Sequence, residues 1–286
     1  GRGARRLTSG RRRQVAGLLR DGDVLAMEAA AGRLNEILVQ EPAKRLSMGD
    51  TYATPVGRMS GLSALAACLS RGSPLAQHRA AAAFRNALLA EENDAKLLEA
   101  DVIVLCAAVV MGTPPTQANA AAALGNVCCS SGNGRNFVLA TGGVGALAAL
   151  ILSCTRFGGA EKLAQSAIPE AAAAVRNACF NHKGNRDEVM RARAVGAFVD
   201  VLRDHSHVPQ SLRERHATML EHVLGALRNA CNQHNGNCMQ LAEAEGVGAA
   251  VELLAHRHHV TQGALAQAVG LIRNACVGRA PARPKP

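Results

Sequence analysis

The chain has 286 residues, of which 48% are hydrophobic and only 2% aromatic, with no tryptophan. This length allows one large domain or two ordinary ones, and an apolar content dominated by Ala and Leu favours closely packed helices over strands. The net charge of +10 comes from the two ends, because residues 1–20 and 278–286 contain ten cations and no acid, and the rest has 22 cations against 22 acids. This distribution excludes a uniformly basic nucleic-acid-binding domain.

The two ends of the chain are predicted to be tails. Residues 1–10 are predicted to be a basic disordered tail, and residues 278–286 a basic, proline-rich tail. Such tails can contact RNA or an acidic protein surface, although a solvated end is the simpler interpretation. The residues between them, 11–277, are predicted to form a single domain.

Cysteine usage and hydropathy bear on the compartment. Nine cysteines without paired spacing do not describe a disulfide framework. They predict an intracellular, reducing compartment, with the cytoplasm as the first choice. The Arg-rich, acid-poor start of the sequence is compatible with location in an organelle instead. The longest purely apolar run, 102–111, is too short to span a bilayer, so no membrane span is expected.

A short motif recurs five times along the chain. It reads FRNAL at 84–88, LGNVC at 124–128, VRNAC at 175–179, LRNAC at 227–231 and IRNAC at 272–276. The central asparagines are 40, 51, 52 and 45 residues apart, and a degraded copy surrounds Asn35. A period of this length is typical of helical solenoids.

Each repeat is predicted to contain three helices. The motif ends a long third helix, and a polar break with a second asparagine follows it. A short first helix, a glycine-containing turn and an apolar middle helix come next, as in GGVGALAALIL, RAVGAFVDVL and EGVGAAVELL. Glycine at this turn provides the conformational freedom of a sharp helix–helix junction.

These features resemble the armadillo repeat family, whose third helix ends in ALRNLA and whose middle helix follows a Gly-Ile/Val pattern. The resemblance covers 57–277 well and 11–56 loosely. It implies an all-α, right-handed superhelical solenoid of armadillo-like three-helix repeats, about five clear and one degenerate. It also implies that third helices line a concave surface on which the motif asparagine grips the main chain of an extended peptide.

Helical periodicity sorts the motif residues into two faces. The positions two before and two after each asparagine lie on one face, are apolar or Cys, and are predicted to be core. They are Phe84/Leu88, Leu124/Cys128, Val175/Cys179, Leu227/Cys231 and Ile272/Cys276. The repeated cysteines are therefore interpreted as small buried hydrophobes rather than reactive or ligating thiols.

The asparagines define the candidate binding row. They are Asn86, Asn126, Asn177, Asn229 and Asn274, and the positions seven before them are Arg79, Asn119, Glu170, His222 and Gln267. A carboxamide offers both a donor and an acceptor, so it can pair with a peptide bond whatever side chain the bound peptide carries there. With helices ~8–10 Å apart and ~3.3 Å per peptide residue, one Asn meets about every second or third peptide bond. The alternative is that each Asn bridges neighbouring helices, and both roles are compatible.

Arginine precedes the asparagine in four of the five copies, at Arg85, Arg176, Arg228 and Arg273. A row of guanidinium groups at the groove edge suits carboxylates or phosphates. The alternative is an ion pair with an acid of the adjacent repeat. Receptors of the nuclear-import branch carry Trp four before the Asn, whereas this chain has Ala82, Ala122, Ala173, Gly225 and Gly270 there. A receptor for basic signals is therefore excluded, and an acidic segment fits better.

No catalytic, cofactor or metal site is predicted. The GGVGAL segment at 142–147 recurs as a repeat turn, and the C-x-x-H spacings at Cys179/His182 and Cys231/His234 follow from repeat registration. The sequence therefore favours a non-enzymatic scaffold that binds an extended, acidic protein segment in its groove. Alternatives are a structural subunit anchored in a large assembly through its tails, and a regulatory armadillo domain of a longer chain.

Overall fold

The computed structural model describes residues 17–18, 23–40, 51–54, 57–90, 93, 97, 99–130, 132–156, 162, 165–204, 209–255 and 260–277. The chain divides into two compact units, Gly1–Ser130 and Ser131–Pro286. The predicted tails, 1–10 and 278–286, lie outside the described residues. The prediction of a single solenoid over 11–277 stays a prediction, and each unit is described by itself.

Unit 1 contains five helices with defined bounds and a short hairpin. The helices are α1 (Val24–Gln40), α2 (Gly61–Arg71), α3 (Pro74–Ala87), α4 (Glu99–Met111) and α5 (Pro114–Ser130). Strands β1 (Thr51–Thr54) and β2 (Gly57–Ser60) pair antiparallel between α1 and α2, with Thr51 opposite Ser60. The hairpin is an addition to the helical pattern predicted from the sequence.

Unit 2 shows the predicted three-helix repeat three times. Its first helices are α6 (Gly132–Ala140), α9 (Lys183–Arg191) and α12 (Asn235–Glu243). Its middle helices are α7 (Gly143–Thr155), α10 (Ala194–Arg203) and α13 (Gly246–Ala255), and its third helices are α8 (Ile168–Cys179), α11 (Arg213–Cys231) and α14 (Gln262–Val277). The helical, repeat-based fold class is thus confirmed within each unit.

Third helices pack mainly against the third helix of the next repeat. In unit 1, α1 packs on α3 and α3 on α5; in unit 2, α8 packs on α11 and α11 on α14. Middle helices stack in the same order, α7 on α10 and α10 on α13. Each repeat therefore buries its apolar faces against its neighbours, which is how a solenoid forms a continuous core from units too small to fold alone.

The turn between first and middle helices uses a left-handed residue in every repeat of unit 2. That residue is Gly142 in one copy (φ 76°), as expected, but Arg193 and Glu245 (both φ 52°) in the other two. The prediction that glycine makes this turn is therefore wrong for two copies. Gly246, one residue later, is needed for space instead, because a Cβ there would lie 2.3 Å from Cδ1 of Leu241.

The motif positions predicted as core are buried in four of the five copies. Phe84, Leu124, Val175 and Leu227 are at most 1% exposed, and Cys128, Cys179 and Cys231 are 0% exposed. All nine cysteines are free thiols, and burial raises the pKa of the Cys179 thiol to about 12, so it is unreactive at neutral pH. In the last copy the prediction is wrong, because Ile272 is only half-buried and Cys276 is exposed on α14.

Within the described residues, no single helix has both the length and the apolar composition needed to cross a bilayer. Asn133–Ala140 and Gly143–Thr155 meet the criterion only when taken together, and they are bent by 67° at the break between them.

Candidate functional site

The motif asparagines connect successive third helices. Asn126 Nδ2 donates to the Arg85 carbonyl oxygen (2.9 Å), Asn229 Nδ2 to that of Arg176 (2.8 Å), and Asn274 Nδ2 to that of Arg228 (2.9 Å). Asn86 Nδ2 of the first clear copy donates to Asn35 Oδ1 of the degraded copy that precedes it (2.8 Å). The bridging role left open by the sequence is therefore observed within both units.

The bridge occurs here because a helix leaves its last carbonyls without intrahelical donors. The amide that would normally bind the Arg176 carbonyl, Phe180 N, donates to Asn177 O instead (3.2 Å). The asparagine of the next repeat therefore donates to a carbonyl that the helix end has released. One repeat thus provides a main-chain carbonyl as the acceptor, and the asparagine of the next repeat provides the donor.

A second asparagine binds a carbonyl at the same helix end in two repeats of unit 2. Asn185 Nδ2 donates to Ala178 O (2.8 Å) and Arg135 O (3.2 Å), and Asn237 Nδ2 donates to Ala230 O (2.9 Å) and Arg186 O (3.0 Å). Asn185 and Asn237 are both 0% exposed. Sequence reasoning noted that a second asparagine recurs after the motif but did not find its role; the available signal was that Asn185 and Asn237 both lie eight positions after the motif asparagine.

Two of the arginines before the motif asparagines, Arg176 and Arg228, pack their stems against the third helix of the following repeat. A Cβ built on Gly225 would lie 2.5 Å from Cδ of Arg176, and one on Gly270 would lie 2.6 Å from Cδ of Arg228. Glycine leaves room for the arginine stem, which crosses the neighbouring helix at the position four before its asparagine; a larger residue there would require the stem to shift. The sequence showed that glycine stands at positions where nuclear-import receptors carry Trp. It did not show that an arginine stem occupies the space.

The arginine head groups bind neutral partners. Arg85 Nη1 donates to Asn119 Oδ1 (3.2 Å), and Arg176 Nη1 lies 3.3 Å from His222 Nδ1. Arg228 donates to Asn229 Oδ1 through Nε (3.3 Å) and Nη2 (3.1 Å), and Arg273 Nη2 donates to Asn274 Oδ1 (3.4 Å). Asn119 and His222 both occupy the position seven before a motif asparagine. Residues of the predicted polar face therefore bind the arginine of the preceding motif copy.

Across the described ranges, none of these four arginines forms an ion pair with a carboxylate. The acids nearest to His222, Glu170 and Glu221, are bound to Arg215 and to Thr261. The predicted alternative, in which each arginine pairs with an acid of the adjacent repeat, is therefore wrong for the described residues. The row retains its positive charge.

The charges of the row influence one another. Burial lowers the pKa of Arg228 from its usual value, and the nearby charges of Arg176 and Arg273 lower it further. Burial and Arg176 also lower the pKa of His222, which is therefore neutral at pH 7 and can accept the hydrogen bond from Arg176 at Nδ1. The guanidinium groups of Arg176, Arg228 and Arg273, on the third helices of three successive repeats, thus repel one another.

Arg79 on α3, the remaining predicted site residue, contacts α1, on which α3 packs. Its Nη1 donates to the Glu28 carbonyl oxygen (3.1 Å), and its stem lies against Gly32. The structure thus brings Arg79, Arg85, Asn86 and Asn126 onto the third helices of unit 1. In unit 2 it brings together Arg176, Asn177, His222, Arg228, Asn229, Arg273 and Asn274. Contact of these residues with a ligand stays a prediction.

Comparison with solved structures identifies the fold. An engineered protein superposes with a TM-score of 0.74 at 19% sequence identity, over 93% of this chain and 97% of that chain. A designed armadillo repeat protein in complex with the peptide (KR)4 superposes with a TM-score of 0.68 at 18% identity, over 92% of this chain and 98% of that chain. The fold is the armadillo repeat fold.

A second armadillo repeat protein, computationally designed for modular peptide recognition, matches with a TM-score of 0.68 at 20% identity, over 91% of this chain and 98% of that chain. No protein-family model matches the sequence, and no curated protein matches it. The likeness therefore concerns the armadillo fold, which confirms the resemblance inferred from the motifs without indicating a particular member.

The histidines of the C-x-x-H spacings cap first helices of the armadillo repeats. His182 Nδ1 accepts from Asn185 N (3.1 Å) at the start of α9, and His234 Nδ1 accepts from Asn237 N (3.1 Å) at the start of α12. Their Nε2 atoms lie 2.8 Å from Asn136 Oδ1 and 2.9 Å from Asp187 Oδ1. Across the described residues, no group of three or more His, Cys, Asp or Glu side chains could hold a metal ion.

The cap at His182 predicts a pH-dependent loss of stability. Burial, Arg135 and Arg186 lower the pKa of His182 from its usual value of 6.5, so the folded chain favours the neutral ring more than the unfolded chain does. This stabilisation is complete above pH 6.5 and is lost as the pH falls from there through the folded-state pKa. Protonation of Nδ1 also removes the acceptor for Asn185 N.

We therefore expect the melting temperature of the wild type to fall more steeply below pH 6.5 than that of His182→Asn, since Asn caps a helix without titrating. Melting curves between pH 8 and the acid limit of folding measure the difference, and other titrating groups are common to both proteins. Parallel pH profiles for the two proteins would contradict this role of His182.

Proposed function

We propose that the protein is a non-enzymatic scaffold that binds an extended, acidic protein segment along its third helices. The observation that carries this proposal is the arginine row of unit 2, Arg176, Arg228 and Arg273, which has no carboxylate partner within the described residues. Like charges held close together destabilise one another, and a polyanion placed across them relieves that repulsion.

The arginine row is positively charged, whereas binding of a basic peptide requires a negatively charged surface. The designed armadillo protein with a TM-score of 0.68 binds (KR)4, a peptide of alternating lysine and arginine. In this chain the corresponding helices present arginines, and glycine occupies positions Gly225 and Gly270. Guanidinium groups form charge-assisted, often bidentate hydrogen bonds with carboxylates and phosphates. The same fold is therefore expected to select the opposite charge.

The asparagines are proposed to contribute main-chain contacts in addition to bridging helices. Each carboxamide has two N–H donors, and only one is used in the bridges from Asn126, Asn229 and Asn274. Asn229 and Asn274 are 8% and 9% exposed, and we propose that the remaining N–H of each side chain donates to a peptide carbonyl. Because the same side chain stabilises the solenoid, its removal affects both stability and binding, so the arginines provide the cleaner test.

The test uses two fluorescent peptides of equal length, one rich in Glu and Asp and one rich in Lys and Arg, titrated with the full chain. We expect the acidic peptide to bind and the basic peptide not to bind. Removing one charge in Arg228→Gln should weaken binding by about 10-fold, which corresponds to the loss of one hydrogen bond between charged groups. The triple variant of Arg176, Arg228 and Arg273 should abolish binding.

The matched control is Arg191→Gln, which removes an exposed arginine from α9, where it pairs with Glu188. It changes the net charge by the same amount but should leave the affinity within about 2-fold, since distant exposed charges are screened by salt. Equal affinity for both peptides, or no difference between Arg228→Gln and Arg191→Gln while circular dichroism shows both folded, would refute the proposed groove.

The two ends of the chain, residues 1–20 and 278–286, suggest a second candidate function, because together they contain ten cations and no acid. In that case affinity for an RNA or for an acidic assembly would reside in residues 1–20 rather than in the groove. Deleting residues 1–20 distinguishes the two: the acidic peptide should still bind if the groove carries the affinity, and its binding should collapse if the tail does.

A further inference from the structure

His222 of α11 is held against an arginine of the candidate binding row. The stem of Arg176 passes over Gly225, three residues after His222 on the same helix, and Nη1 of Arg176 lies 3.3 Å from Nδ1 of His222. A guanidinium group has only donors, so the imidazole must accept at Nδ1, and the ring is then neutral with its proton on Nε2. The free chain therefore holds His222 in its uncharged form.

Charged groups of both signs face His222. Arg176 and Glu170 face it from α8, and Glu221 is its neighbour on α11. Burial and the charge of Arg176 disfavour the imidazolium, whereas the two carboxylates favour it. The protonation state of the ring is thus set by a balance of nearby charges, and one more anion shifts that balance towards the imidazolium.

The other elements packed on α11 do not alter this balance. On α14, the position equivalent to His222 is Gln267, and Arg273 is the one charged residue within Gln262–Val277. Helices α9, α10 and α12 also pack on α11, and none of their charged side chains in the described ranges is among the groups that act on His222. The charges to consider are therefore those of Arg176, Glu170 and Glu221.

His222 is the one residue of its row that titrates near neutral pH. The five positions seven before the motif asparagines hold Arg, Asn, Glu, His and Gln in chain order. Asn119 binds Arg85 as His222 binds Arg176, but a carboxamide has no proton to gain. An unperturbed imidazole has a pKa of about 6.5, so only at His222 does the contact with an arginine depend on a proton near physiological pH.

We propose that the groove takes up a proton at His222 when it binds an acidic segment, so that the segment binds more tightly as the pH falls. This inference rests on the proposed function, because it concerns regulation of the same site. A carboxylate on the arginine row competes for the N–H groups of Arg176, which leaves Nδ1 of His222 free to bind a proton. The negative charge of the carboxylate also stabilises the imidazolium.

The pH dependence has a defined direction. The pKa of His222 in the free chain lies below its usual value of 6.5, and a bound carboxylate raises it. The complex then holds the proton more firmly than the free chain, and each unit by which the pKa rises makes binding at low pH about 10-fold tighter. The gain begins as the pH falls through the pKa of the complex and is complete below the pKa of the free chain.

The first experiment titrates the acidic fluorescent peptide with the full chain between about pH 5.5 and about pH 8, where the Asp and Glu side chains of the peptide stay ionised. We expect the wild type to bind about 10-fold more tightly at pH 5.5 than at pH 8. For His222→Gln the ratio of the two affinities should be about 1, because glutamine offers Arg176 an acceptor but does not titrate. The ratio is compared within each protein, so a general loss of affinity in the variant does not affect the result.

The matched control is His182→Asn. The pKa of His182 also lies below its usual value, but this side chain contacts Asn136 and Asn185 rather than an arginine of the row. The control should keep the wild-type ratio, with circular dichroism used to verify folding at each pH. A wild type whose affinity does not rise on acidification, or equal ratios in wild type and His222→Gln, would overturn this proposal alone. Failure of the peptide to bind at any pH would overturn the proposed function as well.

Calorimetry measures the proton itself and does not depend on a variant. The peptide is titrated into the full chain at about pH 6.5 in two buffers with different enthalpies of ionisation, and the difference in apparent binding enthalpy gives the number of protons exchanged. We expect a net uptake of up to about one proton per bound peptide in the wild type and none in His222→Gln. Binding without proton uptake in the wild type would contradict the proposal.

Discussion

Replacing Asn237 with alanine is expected to lower the free energy of unfolding by about 2–4 kcal/mol, as expected when two buried acceptors each lose a donor. Asn237 is 0% exposed, and its Nδ2 donates both to Ala230 O in its own repeat and to Arg186 O in the preceding repeat. The variant therefore releases a helix end and weakens the junction between two repeats. Urea denaturation followed by circular dichroism measures the loss.

The matched control is Asn235→Ala, in the same first helix. Asn235 is exposed, so its replacement should change the free energy of unfolding by no more than about 0.5 kcal/mol. If Asn237→Ala is as stable as Asn235→Ala, the asparagine does not hold the repeats together. The slope of the free energy of unfolding against urea concentration should also be compared between the variants. A repeat protein that loses the junction between two repeats can unfold in stages, which changes this slope.

The second large effect is expected at Leu227, the core position two before the motif asparagine. Leu227 is 0% exposed, and Leu227→Ala should cost about 2–5 kcal/mol, because it removes buried apolar surface and leaves a cavity between packed helices. Ile272 occupies the same motif position in the last repeat but is half-buried on α14. Ile272→Ala should therefore cost about 1 kcal/mol or less.

This pair is measured by chemical denaturation, with both variants and the wild type compared at the same protein concentration. The difference between the two variants, rather than either value, carries the test. Equal losses would mean that position in the motif, and not coverage by a following repeat, determines burial.

Much of the fold follows from local patterns. The five recurring motifs, their spacing and the apolar residues four apart predicted third helices with Phe84, Leu124, Val175 and Leu227 in the core, and all four are buried. These predictions succeed because helical periodicity depends on residues three and four apart, which the sequence displays directly. The turn was harder: Arg193 and Glu245 take a left-handed conformation that the sequence pattern assigned to glycine, since the surrounding helices impose it.

The candidate site was predicted in its residues but only partly in their contacts. The rows of Asn and Arg were visible as repeats, whereas the carbonyl that each Asn binds belongs to a residue 41 to 53 positions away, in the preceding repeat. The passage of Arg176 over Gly225 is likewise a contact between repeats. Neither could be derived from spacing along one helix, because it depends on how far one repeat is rotated and shifted on the next.

The amino-acid sequence alone was sufficient for the repeat, the helices, the polar and apolar faces, and the positions that carry charge, since each depends on neighbours within about one helical turn. The packing of repeat on repeat assigned the partners. It showed that the asparagines cap released carbonyls and that, within the described residues, Arg176, Arg228 and Arg273 have no carboxylate partner. It also showed that Ile272 and Cys276 of the last motif copy are less buried than their counterparts. Burial is a property of what lies opposite a residue, and identical motif positions therefore acquire different environments at the middle and at the end of a stack.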